Sequence, residues 1–98
     1  MERRRERRLG VELPGSYCSR GRQPRSVFFS KLSVNGCQLA DYDSPLVPGE
    51  AIRLSLGEIE TTVATVRWVR DSVVGVQFDT PLDKFLIDFF AAYVNKAA

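Results

Sequence analysis

Five arginines crowd into six positions near the start of the chain: Arg3, Arg4, Arg5, Arg7 and Arg8, with Glu6 among them. Like charges so close repel one another and have nothing apolar to bury, so residues 1–8 are expected to form a flexible arm, and such an arm seeks an anion. Fully extended, Arg4 and Arg8 would stand up to roughly 14 Å apart; in a helical turn they would share a face about 6 Å apart. A second group able to meet a ligand is Lys31-Leu32-Ser33-Val34-Asn35-Gly36. Read as a strand, it turns Lys31 and Ser33 to one face and Leu32 and Val34 to the other. Ser33 then offers a hydroxyl, and Gly36 lets the backbone come close or bulge.

Other chemistry is excluded by what the chain lacks. It has no histidine, hence no Ser-His-Asp triad, no His-ligated metal and no side chain whose ordinary pKa lies near neutrality. Asp41 and Asp43, beside Pro45, read as turn and solvating residues rather than a catalytic pair. Cys18 and Cys37 lack the CxxC spacing of a redox or zinc motif and read as reduced thiols, Cys37 in the core. No catalytic residue, metal or cofactor is expected, and the chain does not read as an enzyme.

The elements that must position these residues follow from composition and pattern. With 98 residues, 44% of them hydrophobic, the chain can bury one core but has no room for two. Residues 1–25 hold eight Arg and three Glu, a net charge of +5, whereas residues 26–98 carry six Lys and Arg against nine Asp and Glu, a net charge of −3. No apolar run approaches the roughly 18 residues of a membrane span. The first residues lack the apolar stretch of a signal peptide, so a cytoplasmic location is expected.

Beyond the arm, residues 9–98 read as one domain of short strands. Leu9, Val11 and Leu13 alternate with polar or small residues until Pro14-Gly15 interrupts. Ser19-Arg20-Gly21-Arg22 is a turn, residues 26–32 a second strand and residues 37–40 a third. Val47-Pro48-Gly49-Glu50 has the residues of a type II turn and leads into Ile52, Leu54 and Leu56 on one strand face. Residues 59–70 form a long strand whose apolar positions change parity between Val63 and Val66, which predicts a bulge or bend. A last strand carries Val74, Val76 and Phe78. Thr80 as N-cap and Pro81 at the first helical position then predict a helix over about 81–95. Its apolar stripe is Leu82, Phe85, Leu86, Phe89, Phe90 and Tyr93. Six strands and one amphipathic helix make a mostly β fold, a six-stranded antiparallel barrel with the C-terminal helix packed against it.

These residues resemble the PilZ domain, a bacterial receptor module for cyclic di-GMP. An RxxxR arm leading into the first strand is matched by Arg4-Arg5-Glu6-Arg7-Arg8 before Leu9-Gly10-Val11. The family's [D/N]xSxxG motif is matched by Ser33 and Gly36, with Lys31 where an acidic or amide residue is usual. Pro48-Gly49-Glu50, Val66-Arg67-Trp68-Val69 and Gly75-Val76-Gln77-Phe78 are similar too. The resemblance implies a ligand, cyclic di-GMP, held by Arg4, Arg8, Lys31, Ser33 and Gly36, with Arg3, Arg5, Arg7 and Asn35 as further contacts. The chemistry is suitable, since the planar fork of arginine fits both phosphate oxygens and the O6/N7 edge of guanine. Lys31 has three donors and no acceptor, so it meets a phosphate but not the guanine N1 and N2 protons.

The resemblance implies a receptor whose arm closes over the dinucleotide and which signals through a separate effector protein, as a monomer or weak homodimer. The alternative is a degenerate domain that has lost the nucleotide and serves as a protein-interaction adaptor, which Lys31 favours. An RNA-binding barrel is a third reading; it lacks an aromatic strand platform beyond Phe28, Phe29 and Trp68. No DNA partner is expected. The plainer roles are a solubilising tail for the arginines, a strand end for Ser33 and Gly36, and barrel packing for Trp68.

Overall fold

The computed structural model describes residues 13–57 and 60–97, with side chains up to residue 92. Six strands, β1 (Leu13–Ser19), β2 (Arg25–Ser30), β3 (Gly36–Ala40), β4 (Ala51–Leu56), β5 (Glu60–Arg70) and β6 (Val73–Phe78), precede the helix α1 (Lys84–Ala97). The strands close into a barrel in the order β1-β2-β3-β6-β5-β4. Every neighbouring pair, β1 with β4 included, is antiparallel. The expected mostly β barrel with one C-terminal helix is the fold observed.

Alternation along each strand fills the interior. Val27 and Phe29, Cys37 and Leu39, Ile52, Leu54 and Leu56, Ala64 and Val66, and Val74, Val76 and Phe78 all point inward and are buried. The Val47–Glu50 turn closes with Glu50 N–H donating to the Val47 carbonyl at 3.2 Å, and Gly49 takes the positive φ of 94° that the third position of a type II turn requires.

Several expectations are corrected. β1 runs through Pro14-Gly15 instead of stopping there. Pro14 pairs with Phe28, and its carbonyl accepts from Gly57 N–H at 3.0 Å, so the missing proline N–H falls just past the end of β4, where the β1–β4 ladder is finishing. Residues 9–11, expected in that strand, lie outside the described residues. In β5, Val63 faces outward and is 39% exposed, while Ala64 and Val66 face the core. The register shift falls later, between Val66 and Trp68.

The helix is also shifted. Thr80 does not cap it; Asp83 does, its Oδ1 accepting from Phe85 N–H at 2.8 Å. Residues 79–82 stay out of the helix because their backbone is spent elsewhere, Asp79 N–H donating to the Val63 carbonyl at 2.9 Å and Leu82 N–H to the Val34 carbonyl at 2.8 Å. The stripe divides accordingly. Leu82, Ile87, Phe90 and Ala91 are buried and Leu86 packs against the core, but Phe85 is 81% and Phe89 48% exposed. Tyr93 lies outside the described side chains.

Asp41 is not a solvated turn residue. It is buried at the end of β3, where Tyr17 Oη donates to Oδ2 at 2.5 Å and Arg25 donates to Oδ1 from Nε and Nη2 at 3.2 and 2.8 Å. The hydrogen bond to Asp41 raises the pKa of Arg25, and burial followed by the bond to Asp41 pushes Tyr17 up to about 12. Asp41→Ala leaves the Tyr17 hydroxyl buried without its acceptor and should cost about 1 to 3 kcal/mol in urea unfolding. Asp41→Asn, which keeps an acceptor, should cost less. Equal losses from the two variants would show that the Tyr17 bond is not what Asp41 contributes.

Candidate functional site

β2 ends at Ser30 because Lys31 turns into the left-handed region, with φ of 51°. That turn defeats simple strand alternation: Lys31 is exposed, whereas Leu32 and Ser33 are both buried. Lys31 and Ser33 are therefore not neighbours on one strand face, as the sequence suggested. Asn and Asp tolerate the left-handed conformation better than Lys does, so the residue types expected at position 31 would suit its backbone as well as any ligand.

The segment that follows is a tight, self-bonded turn. Ser33 N–H and Ser33 Oγ both donate to the Gly36 carbonyl, at 2.9 and 3.3 Å, and Asn35 N–H donates back to Ser33 Oγ at 3.3 Å. Phe78 N–H donates to the Asn35 carbonyl at 2.8 Å and anchors the turn to the end of β6. Ser33 thus shapes the turn, and one lone pair of its hydroxyl remains for a ligand. Gly36 is required by closeness, since a Cβ there would press into the Val76 carbonyl oxygen of the paired strand.

Lys31, Ser33, Asn35 and Gly36 line one open hollow of about 260 Å³ on the outer face of β3, β6 and β5. The register brings in the rest. Gly36 pairs with Gln77, Gln38 with Gly75, and Gly75 in turn with Trp68. The shift between Val66 and Trp68 leaves Arg67 as the extra residue, exposed at the rim. Trp68 lies over Gly75, where a Cβ would strike the indole. It is half-buried on the outside of the barrel, and the Arg70 guanidinium stands 4.8 Å from its ring centroid.

The hollow therefore combines two cations, Lys31 and Arg67, three amides, Asn35, Gln38 and Gln77, and one edge of an indole. This set suits a ligand with anionic groups and a planar, hydrogen-bonding ring system. Gln38, Arg67 and Gln77 were not identified from sequence. Arg67 and Gln77 stood in stretches noted for their family resemblance but given no ligand role, and all three reach the hollow through cross-strand pairing between distant segments. Arg3, Arg4, Arg5, Arg7 and Arg8 lie outside the described residues. The described chain does begin at Leu13, which pairs with Phe29 two residues before Lys31, so β1 starts at the Lys31 end of the barrel. Among the described residues there is no cluster of His, Cys, Asp or Glu suited to a metal ion, and no helix is long and apolar enough to cross a membrane. Cys37 is buried, and desolvation pushes its thiol up to about 12, as suits a core residue rather than a nucleophile.

Comparison with known proteins adds one match. No curated protein matches the chain. The model of the PilZ domain, a family of non-catalytic binding domains that includes receptors and adaptors for cyclic di-GMP, matches residues 2–95. With the closed six-stranded barrel, the C-terminal helix and a match over nearly its whole length, the chain belongs to the PilZ domain family.

Proposed function

We propose that this domain is a bacterial, cytoplasmic receptor that binds cyclic di-GMP on the outer face of β3, β6 and β5 and signals through a separate effector protein. The observation that carries the reading is the convergence of Lys31, Ser33, Asn35 and Gly36 with Arg67, Trp68 and Gln77 on one hollow. Lys31 and Arg67 attract phosphate, and the exposed part of the indole offers a guanine an apolar surface. The guanine acceptor that Lys31 cannot provide is available from the side-chain carbonyls of Gln38 and Gln77. The adaptor reading loses its main support on that account.

The arm completes the site. Leu13 stands five positions after Arg8, a reach of at most about 18 Å, which lets Arg8 and Arg4 return over a ligand bound beside Lys31. Arg3, Arg5 and Arg7 add charge and further ligand contacts. Ordering the arm costs entropy, so several charge-assisted bonds must form together. The cation–π contact of Arg70 with Trp68 holds the indole in place before the ligand arrives.

Calorimetric titration of cyclic di-GMP tests this. Arg4→Ala and Arg8→Ala should each weaken binding by about 1.5 to 3 kcal/mol, the scale of a hydrogen bond to a charged group. Added salt should weaken binding in the parent chain. Lys31→Asn should bind at least as tightly as the parent, and should raise the melting temperature because asparagine accepts the left-handed backbone at lower cost. If neither the parent nor Lys31→Asn binds at millimolar nucleotide, the receptor reading fails and the adaptor reading replaces it.

A further inference from the structure

A larger groove lies on the opposite side of the barrel. In the closed order β1-β2-β3-β6-β5-β4, the β1–β4 pair stands across from the β3–β6 pair. Over β1 and β4 the β1–β2 turn overhangs an open groove of about 550 Å³. Its walls carry Arg20, Arg22 and Gln23 from the turn and Arg53 from β4. Arg53 pairs with Cys18 on one side and Val63 on the other, so cation, thiol and exposed valine form one row across the floor. No carboxylate lines the groove. Arg22 has Glu50 at 3.7 Å, and among the described residues no ion pair engages Arg20 or Arg53.

We propose that this groove receives an acidic, partly apolar peptide segment of a partner protein. Three guanidinium forks from two elements offer charge-assisted, bidentate partners to successive carboxylates, and Val63 takes an apolar side chain between them. The barrel leaves no unpaired strand edge among its six strands, so a partner segment cannot add as a further strand and must be held by side chains. Nucleic acid fits less well. No aromatic residue lines the groove on which a base could stack, and the chain's net charge is only +2. The proposal stands apart from nucleotide binding, which it places on the other face.

The exposed thiol in the groove gives a local readout, because Cys37 is buried and Cys18 is exposed. Alkylation of Cys18 in the full chain by iodoacetamide would be followed with and without an eight-residue peptide of alternating Glu-Asp pairs and Leu. The peptide should slow the reaction, each variant being compared with its own unprotected rate. Arg53→Glu and, independently, Arg20→Glu should raise the peptide concentration needed for protection about tenfold or more. Lys84→Glu, the same charge change on the exposed start of α1, should leave it unchanged. The proposal is overturned if the peptide gives no protection, if Lys84→Glu weakens it as much as Arg53→Glu, or if oligothymidylate protects at lower concentration than the peptide.

Discussion

Phe90→Ala is expected to lower the stability of the domain by about 3 to 5 kcal/mol, the usual range for deleting a fully buried phenylalanine. Phe90 is 0% exposed. Its ring edge stands 3.7 Å from where a Cβ on Gly57 would lie, beside Leu13, so it ties α1 to the meeting point of β1 and β4. The neighbouring ring separates the two faces of the helix. Phe89 meets Phe90 edge-on, with centroids 5.9 Å apart, but is 48% exposed, and Phe89→Ala should cost about 1 kcal/mol, within the range of an exposed aromatic pair. Urea unfolding of both variants measures the difference. Equal losses would mean that α1 is rotated about its axis from the orientation described.

The second large effect is alkaline destabilisation. Tyr17 and Cys37 are held neutral in the fold, Tyr17 raised from 10.0 to about 12 and Cys37 from 9.0 to about 12, burial being the main cause in both. For each, the folded state keeps a proton that the unfolded chain gives up. Their stabilising contributions are therefore full below the unfolded pKa and fall as pH rises toward the folded value. Loss should begin near pH 9 for Cys37 and near pH 10 for Tyr17. Each pH unit of separation is worth about 1.4 kcal/mol, so Tyr17 alone should remove roughly 2 to 3 kcal/mol by pH 12. Tyr17→Phe lacks the titrating hydroxyl and should show a shallower decline between pH 10 and 12. A Tyr17→Phe profile parallel to that of the parent would show that Tyr17 does not titrate in the fold.

Much of this architecture was legible because it is written locally. Alternation placed Ile52, Leu54, Leu56, Val74, Val76 and Phe78 on inward faces, and Pro48-Gly49 announced its turn. The failures share one cause, tertiary partners that local pattern does not reveal. The carbonyl of Val34 recruits Leu82 and delays the helix to Lys84. Asp41 looked solvated because its partners, Tyr17 and Arg25, are 24 and 16 residues away. Phe85 and Phe89 belonged to a stripe wider than the face that the barrel covers.

The candidate site divides in the same way. Ser33 and Gly36 were found through motif spacing, yet what they do in the fold, forming a turn bonded to itself and to Phe78, is a matter of geometry. Gln38, Arg67 and Gln77 join them only through the β3–β6–β5 register and the shift at Arg67. A strand pattern read one segment at a time holds no such information.

The central claim is that one face of this barrel holds cyclic di-GMP, and amide chemical shifts followed during titration of the full chain test it residue by residue. Saturable shifts are predicted at the backbone amides of Gly36, Gln38 and Gln77 and at the indole N–H of Trp68, the only tryptophan in the chain. Cys18, Arg53 and Val63, across the barrel, should stay unmoved. An unchanged spectrum at millimolar nucleotide, or shifts confined to the Cys18–Arg53 face, would contradict the account.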